Sequence, residues 1–332
     1  MTISPKLQFW CYKDAIENLY VSTVGQPSLV LTPLQAWEQS NPLYFQMCLL
    51  IWTNVWTFTR GKLYDWSAVD RLWSISPILY GICYVLHDLY HSGNKLTCPR
   101  NAVIALLVTL WGLRLTWNFA IKGGYNNKES EDYRWEIVRN WFKSIRIPFV
   151  GRICQELFYL LFVNFYQNTL IWSFVGIPMY LTYEISKITS SWNTMDYSLV
   201  FAWSVFFWIE SIADYQMFQF QTQKKKFLRN ELKVNDAQKK IYERGFFTGG
   251  LYSLSRHPNY FAEQCMWWVI SLWPMFLQKS VNWSGVPAFL LTLLFQGSTT
   301  LAEQISSQKY PDYKIYQQRV SRLIPWFARP MN

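Results

Sequence analysis

Seven apolar stretches, separated by polar and charged segments, divide the chain from Asn41 onward. The first three run from Asn41 or Pro42 to about Thr59, from just after Asp70-Arg71 to about Leu89, and from Asn101 to about Ile121. Cys154 to Tyr183 is the fourth, Tyr197 to about Phe220 the fifth, Asn259 to about Leu277 the sixth, and Val286 to about Leu301 the seventh. Most are close to the ~20 residues that a helix needs to cross the hydrocarbon core. The fourth is longer, with Gly176 and Pro178 near its far end, and is read as one tilted or broken span. The pattern predicts an all-α, polytopic membrane protein with about seven transmembrane helices.

Residues 1–40 hold Lys6, Lys13, Asp14 and Glu17 among scattered apolar residues and lack the apolar core of a signal peptide, so they form a lead-in. A transmembrane domain over 41–302 follows, with polar loops at 122–152 and 221–258 and a charged tail at 303–332 belonging to the same domain. Tyr133, Trp135, Val138 and Phe142 recur at roughly helical spacing, which predicts an interfacial helix in the first loop.

Charge orients these spans. The net charge of +10 is carried by the segments 60–71, 122–152, 221–258 and 303–332, which fall on one side when seven spans alternate. The loops 90–100 and 184–196 on the other side have little positive charge. Positive-inside then puts the C-terminus in the cytosol and the N-terminus across the membrane. Charge gathered in loops in this way argues against a nucleic-acid partner. An aromatic fraction of 19%, with 19 Trp and 21 Tyr, suits side chains that settle at the membrane–water boundary. Six cysteines without CxxC spacing and three histidines give no metal site.

Chemistry concentrates at a junction of polar turn and apolar run, Gly249-Gly250-Leu251-Tyr252-Ser253-Leu254-Ser255-Arg256-His257-Pro258-Asn259-Tyr260-Phe261-Ala262-Glu263. Pro258 suits a first helical turn, which puts Arg256 and His257 beside free backbone N–H groups. Asn259 and Glu263 stand four apart on one helical face, where amide and carboxylate together can read a carboxamide. The plainer alternative is a helix cap followed by a span whose Glu263 reaches toward the boundary. Glu210, Asp214 and Tyr215 share a face near the end of the fifth span, and Arg114 lies in the third with Trp111 three residues before it. Ionisable groups inside spans are costly and mark function or snorkelling. Neither GxGxxG nor GxxxxGK[ST] occurs, so a nucleotide pocket would have to be built from helix ends and loops.

The junction resembles the C-terminal signature of steroid 5α-reductase-like membrane reductases, especially their broadly distributed branch. Three more segments match in order: Asp65-Trp66-Ser67-Ala68-Val69-Asp70-Arg71-Leu72-Trp73-Ser74, then Leu110-Trp111-Gly112-Leu113-Arg114-Leu115 with Glu131-Asp132-Tyr133-Arg134-Trp135, and the tail from Tyr310 to Trp326. Together they span roughly residues 62–330. Arg-His-Pro-Asn-Tyr alone is also similar to motifs of sterol reductases and isoprenylcysteine carboxyl methyltransferases.

The resemblance implies NADPH in a cytosolic-side cradle and reduction of a conjugated carbon–carbon double bond. The substrate would be a lipid, a steroid or sterol, polyprenoid or long-chain enoyl compound, entering sideways from the bilayer. It gives cofactor contacts to Arg114, Arg134, Asp214, Arg256, His257, Asn259, Tyr260, Glu263, Tyr316, Arg319 and Arg322, and catalytic roles to Tyr133 and Glu210. His87 and Asp88 are further candidates for the proton donor. The endoplasmic reticulum membrane is the implied location. Two rivals stay open: a membrane methyltransferase using S-adenosylmethionine, and a sterol-binding protein without catalysis.

Overall fold

All seven apolar stretches are helical in the computed structural model, which describes residues 33–38, 41–62, 65–125, 131–189 and 191–327, the Lys62 and Tyr133 side chains excepted. The lead-in therefore lies outside the described residues, except for 33–38. In chain order the helices are α1 (Pro33–Glu38), α2 (Leu43–Lys62), α3 (Ala68–Leu72), α4 (Ile75–His91) and α5 (Pro99–Ile121). Next come α6 (Tyr133–Lys143), α7 (Pro148–Phe158), a π-helix (Tyr159–Tyr166) and α8 (Gln167–Ser186). The chain continues through α9 (Thr194–Leu228), α10 (Asp236–Arg244), a 3-10 turn (Gly250–Ser253), α11 (Pro258–Gln278), α12 (Gly285–Lys309) and α13 (Tyr313–Arg319). No strand occurs among the described residues; one parallel bridge joins Ser255 to Ser321.

Four helical stretches are long and apolar enough to cross a membrane: Ala68–His91, Pro99–Ile121, Pro148–Ser186 and Gly285–Lys309. These mark a membrane protein. Polar residues dilute the other three long helices: Gln46, Thr53, Asn54 and Thr57 in α2, Glu210 and Asp214 in α9, and Asn259 and Glu263 in α11. The fourth stretch is one continuous helical run of 39 residues. The fifth runs on to Leu228, so Lys224, Lys225 and Lys226, read as loop, sit in the last turns of a helix.

Packing gathers the chain into two compact units, Met1–Asp196 with Ile270–Pro287, and Tyr197–Val269 with Ala288–Asn332. In the first, α4 packs along α5 and α8, around Tyr80, Tyr84, Ile104, Val108, Phe174 and Met179. Helix α2 is inverted relative to a soluble helix. Gln46, Thr53 and Thr57 face inward, while Ile51, Trp52 and Val55 are exposed. Lipid accepts an apolar outer face, so the inner face is free to hold polar contacts. Gln46 Nε2 donates to Tyr80 O at 2.9 Å, and Asn168 Nδ2 donates to Thr57 Oγ1 at 2.8 Å. Thr57 Oγ1 also donates to Asn164 Oδ1, on the π-helix. Across the wide turns of that π-helix, Phe158, Phe162 and Tyr166 stack with centroids 4.9 and 5.4 Å apart.

Elsewhere in this unit Arg100 is wholly buried, donating to Asp196 at 2.9 and 3.1 Å, and Trp273 Nε1 donates to the same carboxylate at 2.7 Å. Two of the matched segments also meet here. Trp66 N donates to Glu131 Oε1 at 3.0 Å, Asp132 N to Ser67 Oγ at 3.0 Å, and Trp135 Nε1 to Asp70 Oδ2 at 3.0 Å.

The second unit has a small aromatic core of Phe246, Tyr313, Tyr316 and Val320, edged by Tyr310. It is entered through α10, which starts on a capping box of Asn235 and Gln238 and ends at Gly245, φ +90°. A side chain at Gly245 would be strained, and its Cβ would stand 2.3 Å from the Tyr310 ring.

Candidate functional site

The polar junction singled out in the sequence lies in the second unit and is held by the tail. Arg256 N donates to Ser321 O at 2.9 Å and Trp326 N to Leu254 O at 2.9 Å, while Ser255 Oγ donates to Leu323 O at 2.7 Å. Segments almost seventy residues apart thus run side by side. Pro258 opens α11, and Phe261 N closes its first turn on His257 O at 3.1 Å.

Arg256 grips Glu303 as a fork, Nε to Oε1 at 2.7 Å and Nη2 to Oε2 at 3.0 Å. Its Nη1 donates to Gln317 O at 2.8 Å and to Val320 O. His257 Nε2 lies 3.0 Å from Glu303 Oε1, and Gln317 Nε2 donates to Oε2 at 2.9 Å. The guanidinium is thereby spent inside the fold, tying the start of α11 to α12 and to the tail. Glu303 is the residue that sequence reading missed. It stands where α12 has already turned polar, among Thr299, Thr300 and Gln304, so no break in an apolar run marks it.

Within the first turn of the helix the chemistry changes. Asn259 Nδ2 donates to Asp214 Oδ1 at 3.1 Å. Phe206 meets Phe261 edge to face at 6.0 Å, so α9 and α11 run antiparallel in this unit. Glu210 and Glu263 therefore both stand one turn beyond the Asp214–Asn259 pair, on the same side of it, 2% and 7% exposed. His257 stacks on Tyr260, rings 16° apart, and Tyr260 meets Phe295 at 4.9 Å.

The turn leading into α11 contributes Tyr252, which sequence reading passed over. Burial, and then the Asp214 carboxylate and the Tyr260 and Tyr316 phenols, hold its hydroxyl well above the ordinary phenol range. It is thus a neutral donor beside an acid. Its carbonyl accepts Tyr316 Oη at 2.5 Å. Gly250, at φ +54°, lies against the Gln216 side chain, whose Oε1 accepts Leu251 N at 3.0 Å.

Basic groups ring this cluster. Lys224 Nζ donates to Gly245 O at 2.6 Å and to Tyr310 Oη at 3.1 Å. Burial alone would raise the Tyr310 phenol, yet Lys224 and Lys309 bring it below its ordinary value. Arg322 Nη2 donates to Gln296 O at 2.8 Å and Thr300 Oγ1 at 2.5 Å, which leaves its buried Nε without a hydrogen bond. Arg319 is half-buried on α13.

The remaining predicted residues belong to the first unit. Arg114 is half-buried on α5, with Trp111 buried one turn earlier. Arg134 forks onto Asp132 at 2.9 and 2.8 Å, the carboxylate that caps α6. Tyr133 is the first residue of α6, and its side chain lies outside the described residues. Asp88 binds the backbone of Thr97 and Cys98 at 2.8 and 3.0 Å, and His87 is buried near His91 and Trp37. No cluster of three metal-ligating side chains occurs among the described residues.

The donor set can be tested against a dinucleotide. An acid, an amide, a buried second acid and a neutral phenol within two turns fit the mixed donors and acceptors of a carboxamide. Phosphates fit Arg256 poorly, because four of its five N–H groups are already taken; on Arg322 the Nε has no hydrogen bond but is buried.

A family profile described as "Protein of unknown function (DUF1295)" matches residues 55–320. A protein of Schizosaccharomyces pombe described as uncharacterized is 30% identical over 292 residues, 85% of this chain and 78% of the relative. No solved structure matches.

Proposed function

Starting from a chain that belongs to the DUF1295 family, we propose a membrane-embedded, NADPH-dependent reductase of a conjugated carbon–carbon double bond in a lipid, resembling the steroid 5α-reductase-like enzymes. The observation that carries this reading is the Asp214–Asn259 pair at the start of α11, with Glu210 and Glu263 one turn further on. Buried acids among the apolar residues of two long helices are costly, which makes this cluster the default candidate for a site.

In this reading Asn259 and Glu263 hold the carboxamide of the nicotinamide, and Asp214 fixes the Asn259 amide. Arg319 and Arg322 face the phosphates, with Tyr260 and Tyr316 walling the cradle. Arg256 and His257 act one step back, fixing the helix start through Glu303. Bound NADPH supplies the hydride. The protein's own task is then to polarise the substrate carbonyl and deliver a proton to the α-carbon, which falls to Glu210 or Tyr133. Arg114 and Arg134 complete the family pattern. The lipid enters from the bilayer, and the endoplasmic reticulum, with a cytosolic C-terminus, is the location this reading implies.

Glu263→Gln tests it. A charge-assisted contact becomes neutral, and NADPH affinity should fall by on the order of 1–3 kcal/mol while the fold persists. If Glu263 merely sits buried, Gln is easier to bury, so the thermal midpoint rises and affinity is unchanged. That pair of results on one preparation would remove the cofactor assignment for Glu263 and Asn259. Stabilisation of the wild type by S-adenosylmethionine, and not by NADPH, would favour the methyltransferase instead.

A further inference from the structure

The corner between α6 and α7 carries chemistry that the proposed reductase leaves unused. Lys143, Arg146 and Arg152 are all exposed there, and no ion pair engages any of them among the described residues. Earlier cations of α6 are treated differently: Arg134 is paired with Asp132, and Arg139 with Glu131. Only past its third turn does the helix leave its positive charge uncompensated. Glu156, one turn after Arg152, is the single acid between 143 and 158, so the corner stays net positive.

Apolar side chains surround these cations. Trp141, Ile147 and Phe149 are 54%, 59% and 74% exposed, and Val150 and Ile153 are exposed beside them. The shape of the corner is fixed. Ser144 Oγ donates to Trp141 O at 2.7 Å, and Phe142 packs on Phe158 at 5.4 Å. Gly151 lets the two helices close up, since a Cβ there would stand 2.4 Å from Phe142 O. Directly from this corner, α7 opens the unbroken 39-residue helical run, Pro148–Ser186, that is apolar enough to cross a membrane. The corner is therefore at the end of a span, where headgroups lie.

The geometry points to a docking site for anionic phospholipid headgroups, with Lys143, Arg146 and Arg152 receiving the phosphate and carboxylate charge. Trp141, Ile147 and Phe149 enter the acyl boundary beside them. Uncompensated cations interleaved with exposed aromatic and aliphatic residues are the pattern of a surface that prefers anionic over zwitterionic lipid. An acidic protein would meet the charge but not the apolar residues, which a bilayer covers. The inference does not depend on the reductase reading.

The test uses the full chain in zwitterionic detergent, with phosphatidylserine or phosphatidylcholine added and retained lipid counted by native mass spectrometry. Phosphatidylserine should be retained several-fold over phosphatidylcholine, and the preference should shrink as salt rises. Lys143→Gln/Arg146→Gln/Arg152→Gln should abolish that preference, bringing retention of the two lipids to near equality, because the cations that attract the anionic headgroup are gone. An unchanged thermal midpoint in phosphatidylcholine shows that the variant is folded. Should it not fold, Arg146→Gln alone must give a partial loss and Lys143→Arg none. Equal retention of both lipids by the wild type, or an unchanged preference in the variants, overturns the proposal.

Discussion

Glu303 shows how much one side chain can organise. Two donors of Arg256, one of Gln317 and the ring of His257 converge on its carboxylate, with Arg256 and Glu303 each only 9% exposed. Glu303→Gln would leave the Arg256 charge buried against a neutral partner, a loss on the order of 3–5 kcal/mol. The thermal midpoint should drop by many degrees, and NADPH affinity should drop with it, because the start of α11 loses its tie to the tail. A midpoint within a degree of wild type would show that the clamp carries no weight. At this scale the sequence is uneven. Asp214, Glu210 and Glu263 stand out because acids interrupt apolar runs, whereas Glu303 was absorbed into a tail grouped by its positive charge. The commitment of Arg256 was not legible either, since its partners lie 47 to 64 residues away.

Element by element, the pattern of apolar runs reported every long helix, and the spacing of Tyr133, Trp135, Val138 and Phe142 foretold α6. Helix ends were less legible. The apolar run of α9 stops near Phe220, but nothing in Gln221 to Leu228 breaks a helix, so it continues. The start of α6 is set by Asp132, whose carboxylate accepts Arg134 N at 2.9 Å. Partial burial raises the Asp132 pKa, but the Arg134 side chain outweighs it and holds the group below its ordinary value. A depressed carboxyl contributes stability that is present above the unfolded value and fades as pH falls through the folded one. Asp132→Asn should therefore lower the thermal midpoint at neutral pH. The gap to wild type should begin to shrink once the pH falls below about 4, the ordinary aspartate value, and close only below the depressed value of the folded state. A gap that persists in acid would assign the cap to geometry and not to charge.

The whole molecule tests the orientation of the spans. With seven crossings and positive segments inside, a tag after Asn332 faces the cytosol, and a glycosylation acceptor engineered between residues 185 and 195 is modified. Modification of an acceptor at the C-terminus would invert that arrangement. Division into two compact units was not legible in the sequence. Lipid and core are equally apolar, so a run such as Cys154 to Tyr183 says that it is buried without saying against what. Polar exceptions decide the packing, as Thr57 does by meeting Asn164 and Asn168, and such partners are found only in three dimensions.

Those asparagines give the π-helix from Tyr159 to Tyr166 a further meaning. Each of its turns takes up one residue more than an α-helical turn. The 39-residue helix thus holds slack, like a rope with a bight in it. Loss of one residue from this segment would let it tighten to α geometry without breaking. The same loss from α8 would find no slack: everything beyond it would be rotated by about 100°, turning the buried face of α8 toward lipid. The length of this helix can therefore change at the π-helix, and not past it, without loss of the frame that its two halves share.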